Sequence, residues 1–365
     1  MRLTTTPTQR RDPVLASAPP IVVGVDTHQL THTAALIDIH YLRLGHREFP
    51  ATDAGHRELL AWACSHGPIA KIGVESTGSY GAGLTRHLVA AEHDVFEVNR
   101  PEKATRVKHG KSDPVDAYSA AEQVLAGRVT ARAKLTTGVV EAIRAVKVAR
   151  DGAVKNRTAA FSQLRDLITA APAGVHDELI GLTARGRVTR SLAMRPDIAR
   201  IHEPLHATRY ALRALARRIK DLDTEIDAAD KILTKLTRQA APSLIAMRQV
   251  GPQIAAQLLI SAGQNIERMS SEATYAKLTG VAPLPASSGK KTRHRLNRGG
   301  DRQANSALYM IAVGRMKNHS ETQAYVERRR AQGKSNAEII RCLKRAIARS
   351  AYNALRTDLT TAGHL

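Results

Sequence analysis

Apolar positions repeat every second residue early in this chain and every third or fourth residue later. Ile21 to Val25 is a short β-branched run suited to a buried strand. Thr33 to Ile39 and Tyr41 to Phe49 alternate as two further strands would. Asp53 to Ser65 takes up helical spacing through Leu59, Leu60, Trp62 and Ala63. Ile69 to Val74 predicts a fourth strand, ending at Glu75. Gly78, Gly81 and Gly83 mark a turn into a helix over Leu84 to Glu92. Asp94 to Val98 predicts a fifth strand, Asn99 to Lys111 is basic and turn-like, and Pro114 to Ala126 predicts a helix. The order is β-β-β-α-β-α-β-α, which fits a ribonuclease H-like α/β sheet.

Past residue 130 the strand signals stop. Val139 to Ala170 reads as one long helix, and Pro172 to Pro204 as an interrupted segment. Leu205, Leu212, Ile219, Ile226 and Leu233 then recur every seven residues, as do Leu215, Leu222, Ala229 and Leu236. Apolar a and d positions over about four heptads predict a coiled coil, antiparallel or between chains, with an amphipathic helix of an intramolecular bundle as the alternative. From Pro242 the helices shorten. Met247-Arg-Gln-Val-Gly-Pro resembles a helix-hairpin-helix turn, in which Gly251 would let backbone amides approach a phosphate. Gly280 to Gly300 is a loop rich in Gly, Ser, Lys and Arg, and Arg302 to Lys317 and Ser335 to Leu355 read as basic amphipathic helices. The expected layout is a loose tail over 1–19, an α/β domain over 20–130, a helical linker and coiled coil over 131–240, a helical C-terminal domain over 241–356, and a tail over 357–365.

Charge sharpens this picture. Over 365 residues the formal net charge is +22, which points to a polyanionic partner, above all nucleic acid. Residues 20–130 carry 11 basic and 13 acidic residues, whereas 131–240 carry 21 and 12, and 241–365 carry 20 and 7. The slightly acidic first block within a basic chain suits an enzyme that holds divalent metal. Two cysteines, Cys64 and Cys342, leave no disulfide framework and no four-cysteine zinc site. With no apolar run long enough to cross a bilayer and no signal-peptide pattern, the expectation is a soluble, cytoplasmic protein with no membrane partner. Aromatic residues make up only 3% of the chain, which disfavours single-strand binding by base stacking and favours phosphate contacts to duplex or structured RNA.

The acidic block places Asp26 in Gly24-Val-Asp-Thr-His28, Glu75 in Gly73-Val-Glu-Ser-Thr-Gly78, and Asp113 and Asp116 in Lys111-Ser-Asp-Pro-Val-Asp-Ala117. Two strand-end acids and two acids on one helical face make an all-oxygen donor set suited to Mg²⁺ or Mn²⁺. Each acid has an ordinary alternative: a strand cap at Asp26, a solvated strand end at Glu75, a helix N-cap before Pro114 at Asp113, and a first-turn acid facing the helix dipole at Asp116. His28 and His32 lack the glutamate of a His-Glu-x-x-His motif and read as surface or substrate-contacting side chains, not zinc ligands.

Together with Val98-Asn-Arg-Pro101, Leu278-Thr-Gly-Val-Ala-Pro283, Ser287-Ser-Gly-Lys290 and Arg298-Gly-Gly-Asp-Arg302, these motifs resemble the DEDD transposases of the insertion sequence 110 family over about residues 20–355. The resemblance implies a RuvC-like N-terminal domain, a coiled-coil middle and a C-terminal transposase domain. It makes Asp26, Glu75, Asp113 and Asp116 the metal-binding catalytic set. It implies a serine nucleophile at Ser288, with Ser287 as the fallback, amid phosphate-binding Lys290, Lys291, Arg293, Arg295, Arg298 and Arg302, with Lys111 and Gly251 as further nucleic-acid contacts. The implied activity is cutting and rejoining double-stranded DNA, target and element ends, by a homo-oligomer (dimer or tetramer) guided by a structured RNA. The alternatives are a RuvC-like nuclease or Holliday-junction resolvase using water, and an inactive nucleic-acid-binding protein.

Overall fold

The computed structural model describes residues 19–98, 112–285, 294–295, 297 and 299–362. The chain packs as two compact units, one formed by the residues up to Gly138 together with Ala262–Leu278, the other by Val139–Ser261 and the residues from Thr279 on.

The first unit holds a mixed sheet of β1 (Ile21–Thr27), β2 (Thr31–Asp38), β3 (Arg43–Pro50), β4 (Ile69–Glu75) and β5 (Val95–Val98), in the order β3-β2-β1-β4-β5. β1 pairs antiparallel with β2 and parallel with β4, so it lies at the centre and is buried throughout its length. Burial on both faces is why it reads as an unbroken apolar run. On one face Ile21, Val23, Val25, Leu36 and Val74 pack under α1 (Asp53–Cys64) and α2 (Ala82–Ala90) through Leu59, Leu84 and Leu88. On the other face Val22, Ala35 and Ile37 pack under α3 (Asp113–Leu125) through Ala117, Tyr118, Ala121 and Val124.

Two glycines set the height of α3. A Cβ at Gly24 would lie 2.0 Å from the Ala117 carbonyl oxygen and 2.4 Å from the Ala121 nitrogen, and one at Gly73 would lie 2.7 Å from Val124 Cγ2. Only a residue without a side chain lets the helix settle so low on the sheet.

The segment Ala262–Leu278 joins this unit from far along the chain. Asn265 accepts from the Leu135 N–H (2.9 Å) and donates to the Ala133 carbonyl (3.0 Å), bridging the extended strip beside β5. The buried guanidinium of Arg268 lies 3.4 Å from Glu97, and burial pushes its pKa down.

The second unit is helical: α4 (Gly138–Thr169), α5 (Ala173–Ile180), α6 (Ala184–Leu192), α7 (Pro204–Ala240), α8 (Pro242–Ala246), α9 (Pro252–Ala262), then, after α10 (Glu272–Leu278) of the first unit, α11 (Arg302–Asn318), α12 (Ser320–Ala331) and α13 (Asn336–Ala362). The heptad stripe of α7 is occupied within the chain. Leu212 and Ile219 cluster with Ala160, Leu164 and Ile168 of α4. Arg157 meets Asp223 at 2.6 Å and Arg150 meets Asp230 at 2.9 Å, so the two helices run antiparallel. The a positions Leu212, Ile219, Ile226 and Leu233 are buried, while Leu215, Leu222 and Leu236 of the d row are half-buried. Further on, Asp358 of α13 accepts from the Ser243 and Leu244 N–H groups, both at 3.0 Å, and so caps α8. A two-stranded ribbon, β6 (Leu284–Pro285) with β7 (His294–Arg295), completes the unit's described strands. Among the described residues no helix is long and apolar enough to cross a membrane.

Candidate functional site

The strand register brings the first two acids together. β1 and β4 run parallel with Val25 opposite Val74, so Asp26 and Glu75 follow as the next residues at the carboxyl ends of neighbouring strands. Side chains alternate along a strand, so Asp26 shares the face of Gly24, and Glu75 that of Gly73. That is the face covered by α3, whose first turn carries Asp113 and Asp116. Asp26, Glu75 and Asp116 are buried. Carboxyl ends of central strands are where open α/β sheets hold their ligands.

The local backbone fixes this end of the sheet. Thr27 Oγ1 donates to the Glu75 carbonyl oxygen at 2.9 Å. Ser76 then turns the chain away in the left-handed region, at φ 55°. Ser112 occupies the N-cap of α3 and makes no side-chain capping bond, so the Asp113 carboxylate is one residue inside the helix.

Asp113 turns instead toward His28. His28 Nε2 lies 3.3 Å from Asp26 Oδ2 and 3.4 Å from Asp113 Oδ1, and the three ligand atoms all lie within 4.8 Å of one another. Nε2 is shielded from solvent yet makes no well-formed hydrogen bond. Burial pushes the Asp26 pKa up, the neighbouring Asp116 and Asp113 charges add to that, and His28 works against it. An orphaned imidazole nitrogen facing two carboxylate oxygens, beside a carboxyl raised by its neighbours, is a donor set that fits a divalent cation.

Only His32 differs from its sequence reading. The His28 side chain is 45% exposed, as a surface side chain should be, while its Nε2 leans into the acid cluster. His32 is 1% exposed and stacks on His56 with ring centroids 5.5 Å apart. It faces α1 because, on β2, it shares the side of Ala34 and Leu36. Burial drives its pKa down to about 4, with the nearby His56 adding to the effect. The signal that could have found His28 is its spacing: it stands two residues after Asp26, just past a strand end that turns back at Thr31.

Of the sequence-predicted nucleic-acid contacts, the described ones belong to the second unit. Arg295 is exposed on β7, and Arg302 is exposed in the first turn of α11, behind an N-cap in which Asp301 accepts from the Gln303 and Ala304 N–H groups. Gly251 precedes α9, is exposed, and a Cβ there would meet open space. The left-handed backbone of that turn is at Gln249, φ 65°, so Gly251 is not required by sterics. Lys111, Ser287, Ser288, Lys290, Lys291, Arg293 and Arg298 lie outside the described residues.

Comparison with known proteins gives two family matches. Residues 23–171 match the DEDD model of IS110 elements, described as a transposase, and residues 242–327 match the transposase model of the IS116/IS110/IS902 family. The chain is 27% identical over 134 residues to the 42 kDa protein of insertion element IS900 from Mycobacterium paratuberculosis, covering 36% of this chain and 34% of that one. It is 32% identical over 106 residues to the 43.6 kDa protein of insertion element IS110 from Streptomyces coelicolor, covering 29% of this chain and 26% of that one. These alignments thus span about a third and a quarter of the two relatives. The first family model takes in Asp26, Glu75, Asp113 and Asp116, the second takes in the Ser287-Ser288 segment, and the two together cover more than half of the sequence. The chain belongs to the IS110 family of transposases.

Proposed function

We propose that this protein cuts and rejoins double-stranded DNA at the ends of a mobile element and at its target. The observation that carries the reading is the convergence of Asp26, His28 and Asp113 where the central strand ends, with Glu75 on the adjoining strand end. Asp26, Glu75, Asp113 and Asp116, joined by His28, would hold the cation, Mg²⁺ or Mn²⁺. A divalent cation bound there supplies charge neutralisation and polarises a phosphoryl oxygen. Ser288 is the proposed nucleophile. Its hydroxyl gives up a proton, an Oγ–P bond forms, and the P–O bond to the leaving sugar breaks as that oxygen gains a proton. Attack by a hydroxyl of another strand on the phosphoserine reverses the step and joins the new partners. Lys290, Lys291, Arg293, Arg295, Arg298 and Arg302 are assigned to holding the phosphates.

An element-encoded structured RNA as guide, and a dimer or tetramer as the working form, complete the proposal. The family resemblance supports the first, and the need to handle two duplexes supports the second. The a row of α7 packs against α4 of the same chain, so the joining surface is assigned to other faces.

The test is covalent trapping on target and donor DNA with guide RNA present. Wild type is expected to yield a protein–DNA adduct, and Ser288→Ala to yield none while Ser287→Ala still does. An adduct from Ser288→Ala overturns the nucleophile assignment. Cleavage without any adduct favours a water-using nuclease, and no cleavage with tight binding favours an inactive binder.

A further inference from the structure

The second unit contains a cleft of about 1160 Å³ between the β6–β7 ribbon, the Gly280 turn, and helices α12 and α13. Arg341, Arg345 and Arg349 recur every four residues along α13 and line one wall, and Arg295 and Arg329 come from other elements. Among the described residues the one carboxylate in the lining is Glu338. It is already engaged by the Ser335 N–H and hydroxyl, at 3.0 and 2.9 Å, and by Lys334. No Phe, Tyr or Trp lines the cleft among the described residues.

Lys344 is the telling member. It is 7% exposed, and its Nζ donates to Asn305 Oδ1 at 2.7 Å. No carboxylate lies within ion-pair reach of it among the described residues, and burial together with Arg341 pushes its pKa down. Asn305 is itself held in place, donating to the Thr279 and Gly280 carbonyl oxygens at 2.9 and 3.0 Å. Gly280 stands in the left-handed region at φ +65°, where an added Cβ would lie 2.7 Å from the Gly299 carbonyl oxygen. The floor of the cleft is therefore built to present a buried ammonium, and a buried ammonium without a counter-charge is unstable until an anion arrives.

We infer that this cleft grips a phosphodiester backbone, with one phosphate seated on Lys344 and its neighbours along the Arg341–Arg345–Arg349 stripe. A strand, not a lone phosphate, matches the length of the stripe and the volume of the cleft. The absence of stacking rings assigns the contact to the backbone, not the bases. The inference rests on the DNA-transposase reading above and says where the substrate lies. The ribbon ties it to that chemistry: the segment bearing Ser287 and Ser288 leaves from Pro285 and returns at His294, and Arg295 next to it lines the cleft.

The experiment is fluorescence anisotropy on the full chain, with a labelled DNA duplex and a labelled RNA hairpin, across a series of salt concentrations. Lys344→Gln keeps a donor for Asn305 while removing the charge. It is expected to weaken binding about 3- to 10-fold at low salt and to lower the salt slope by about 0.9, the value of one phosphate contact, while the melting temperature stays level or rises. Arg341→Gln is expected to act in the same direction, and Arg217→Gln on exposed α7 to leave the slope unchanged. A slope that falls for the DNA duplex supports the inference, and one that falls for the RNA hairpin alone overturns the placing of substrate DNA in the cleft. Wild-type affinity and slope in both Lys344→Gln and Arg341→Gln overturn the inference, as does a lowered melting temperature with an unchanged slope, which marks a structural lysine. A wild-type chain that binds neither nucleic acid overturns the transposase reading itself.

Discussion

The acid cluster of the first unit and the basic cleft of the second are opposite in sign and alike in physics. Asp26 is a buried carboxyl pushed up by burial and by Asp116 and Asp113, and Lys344 is a buried ammonium pushed down by burial and by Arg341. A group whose charged form the fold disfavours takes stability away at neutral pH, a raised carboxyl above its pKa and a lowered amine below its pKa. Both sites therefore hold charge that a ligand of opposite sign would settle: a divalent cation in one, a phosphate in the other. They differ in construction. The acid cluster is set by strand ends and a helix pressed onto two glycines, whereas the cleft is set by one helix stripe and a hydrogen-bonded asparagine.

The largest effect is expected at Asp26. Asp26→Asn should abolish DNA cleavage and leave nucleic-acid affinity close to wild type, measured by gel assay and anisotropy. It should also raise the metal-free melting temperature, because the variant removes a charge that burial disfavours. A metal-free melting temperature that falls would show that Asp26 is held by favourable partners, and the likeness between the two sites would break. Next comes acid. The buried His32 has a folded pKa of about 4 against an ordinary 6.5. A histidine held neutral by the fold contributes stability above 6.5 that is lost as pH falls toward 4. The loss is roughly 3 kcal/mol for the first unit alone. Hydrogen exchange at pH 7 and pH 4.5 should show it in β1 and β2 and not in α4 and α7, and His32→Phe should flatten the dependence.

Smaller effects sharpen the geometry. Gly24→Ala should destabilise the first unit by about 1–3 kcal/mol through overlap with the α3 backbone, read by denaturant unfolding. Uniform loss across both units would mean that the glycine is not acting through α3. His28→Gln should weaken Mn²⁺ binding by about 10- to 100-fold without changing the fold. An unchanged affinity would place His28 outside the cation's reach.

Much of this was legible in the chain because the signals are local. The β-branched run of β1, the alternation of β2 and the spacing of Asp113 and Asp116 each depend on residues a few positions apart. Even the glycines of Gly24-x-Asp26 and Gly73-x-Glu75 carry meaning in retrospect, since one residue of spacing puts glycine and acid on the same face under α3. What the sequence hid depends on partners far away. Asn265 ties Ala262–Leu278 to residues 133–135 across about 130 positions, and no periodicity announces such a bond. The heptads of α7 announced an apolar stripe but not what covers it. α4 carries no comparable heptad run, and the match is made by Ala160, Leu164 and Ile168 with two Arg–Asp pairs. His28 reads from the sequence as a surface or substrate-contacting side chain, because only the folded sheet and α3 bring the two carboxylates near it. Lys344 was one cation among many until burial and Asn305 singled it out.

The acids at the ends of β1 and β4 are proposed to hold a divalent cation. Calorimetric titration of Mn²⁺ into the metal-free full chain and into Asp26→Asn tests it without relying on activity. Saturable binding to the wild type is expected, with a rise in melting temperature, and the loss of both in the variant. Equal binding to the two proteins, or none to either, would contradict it.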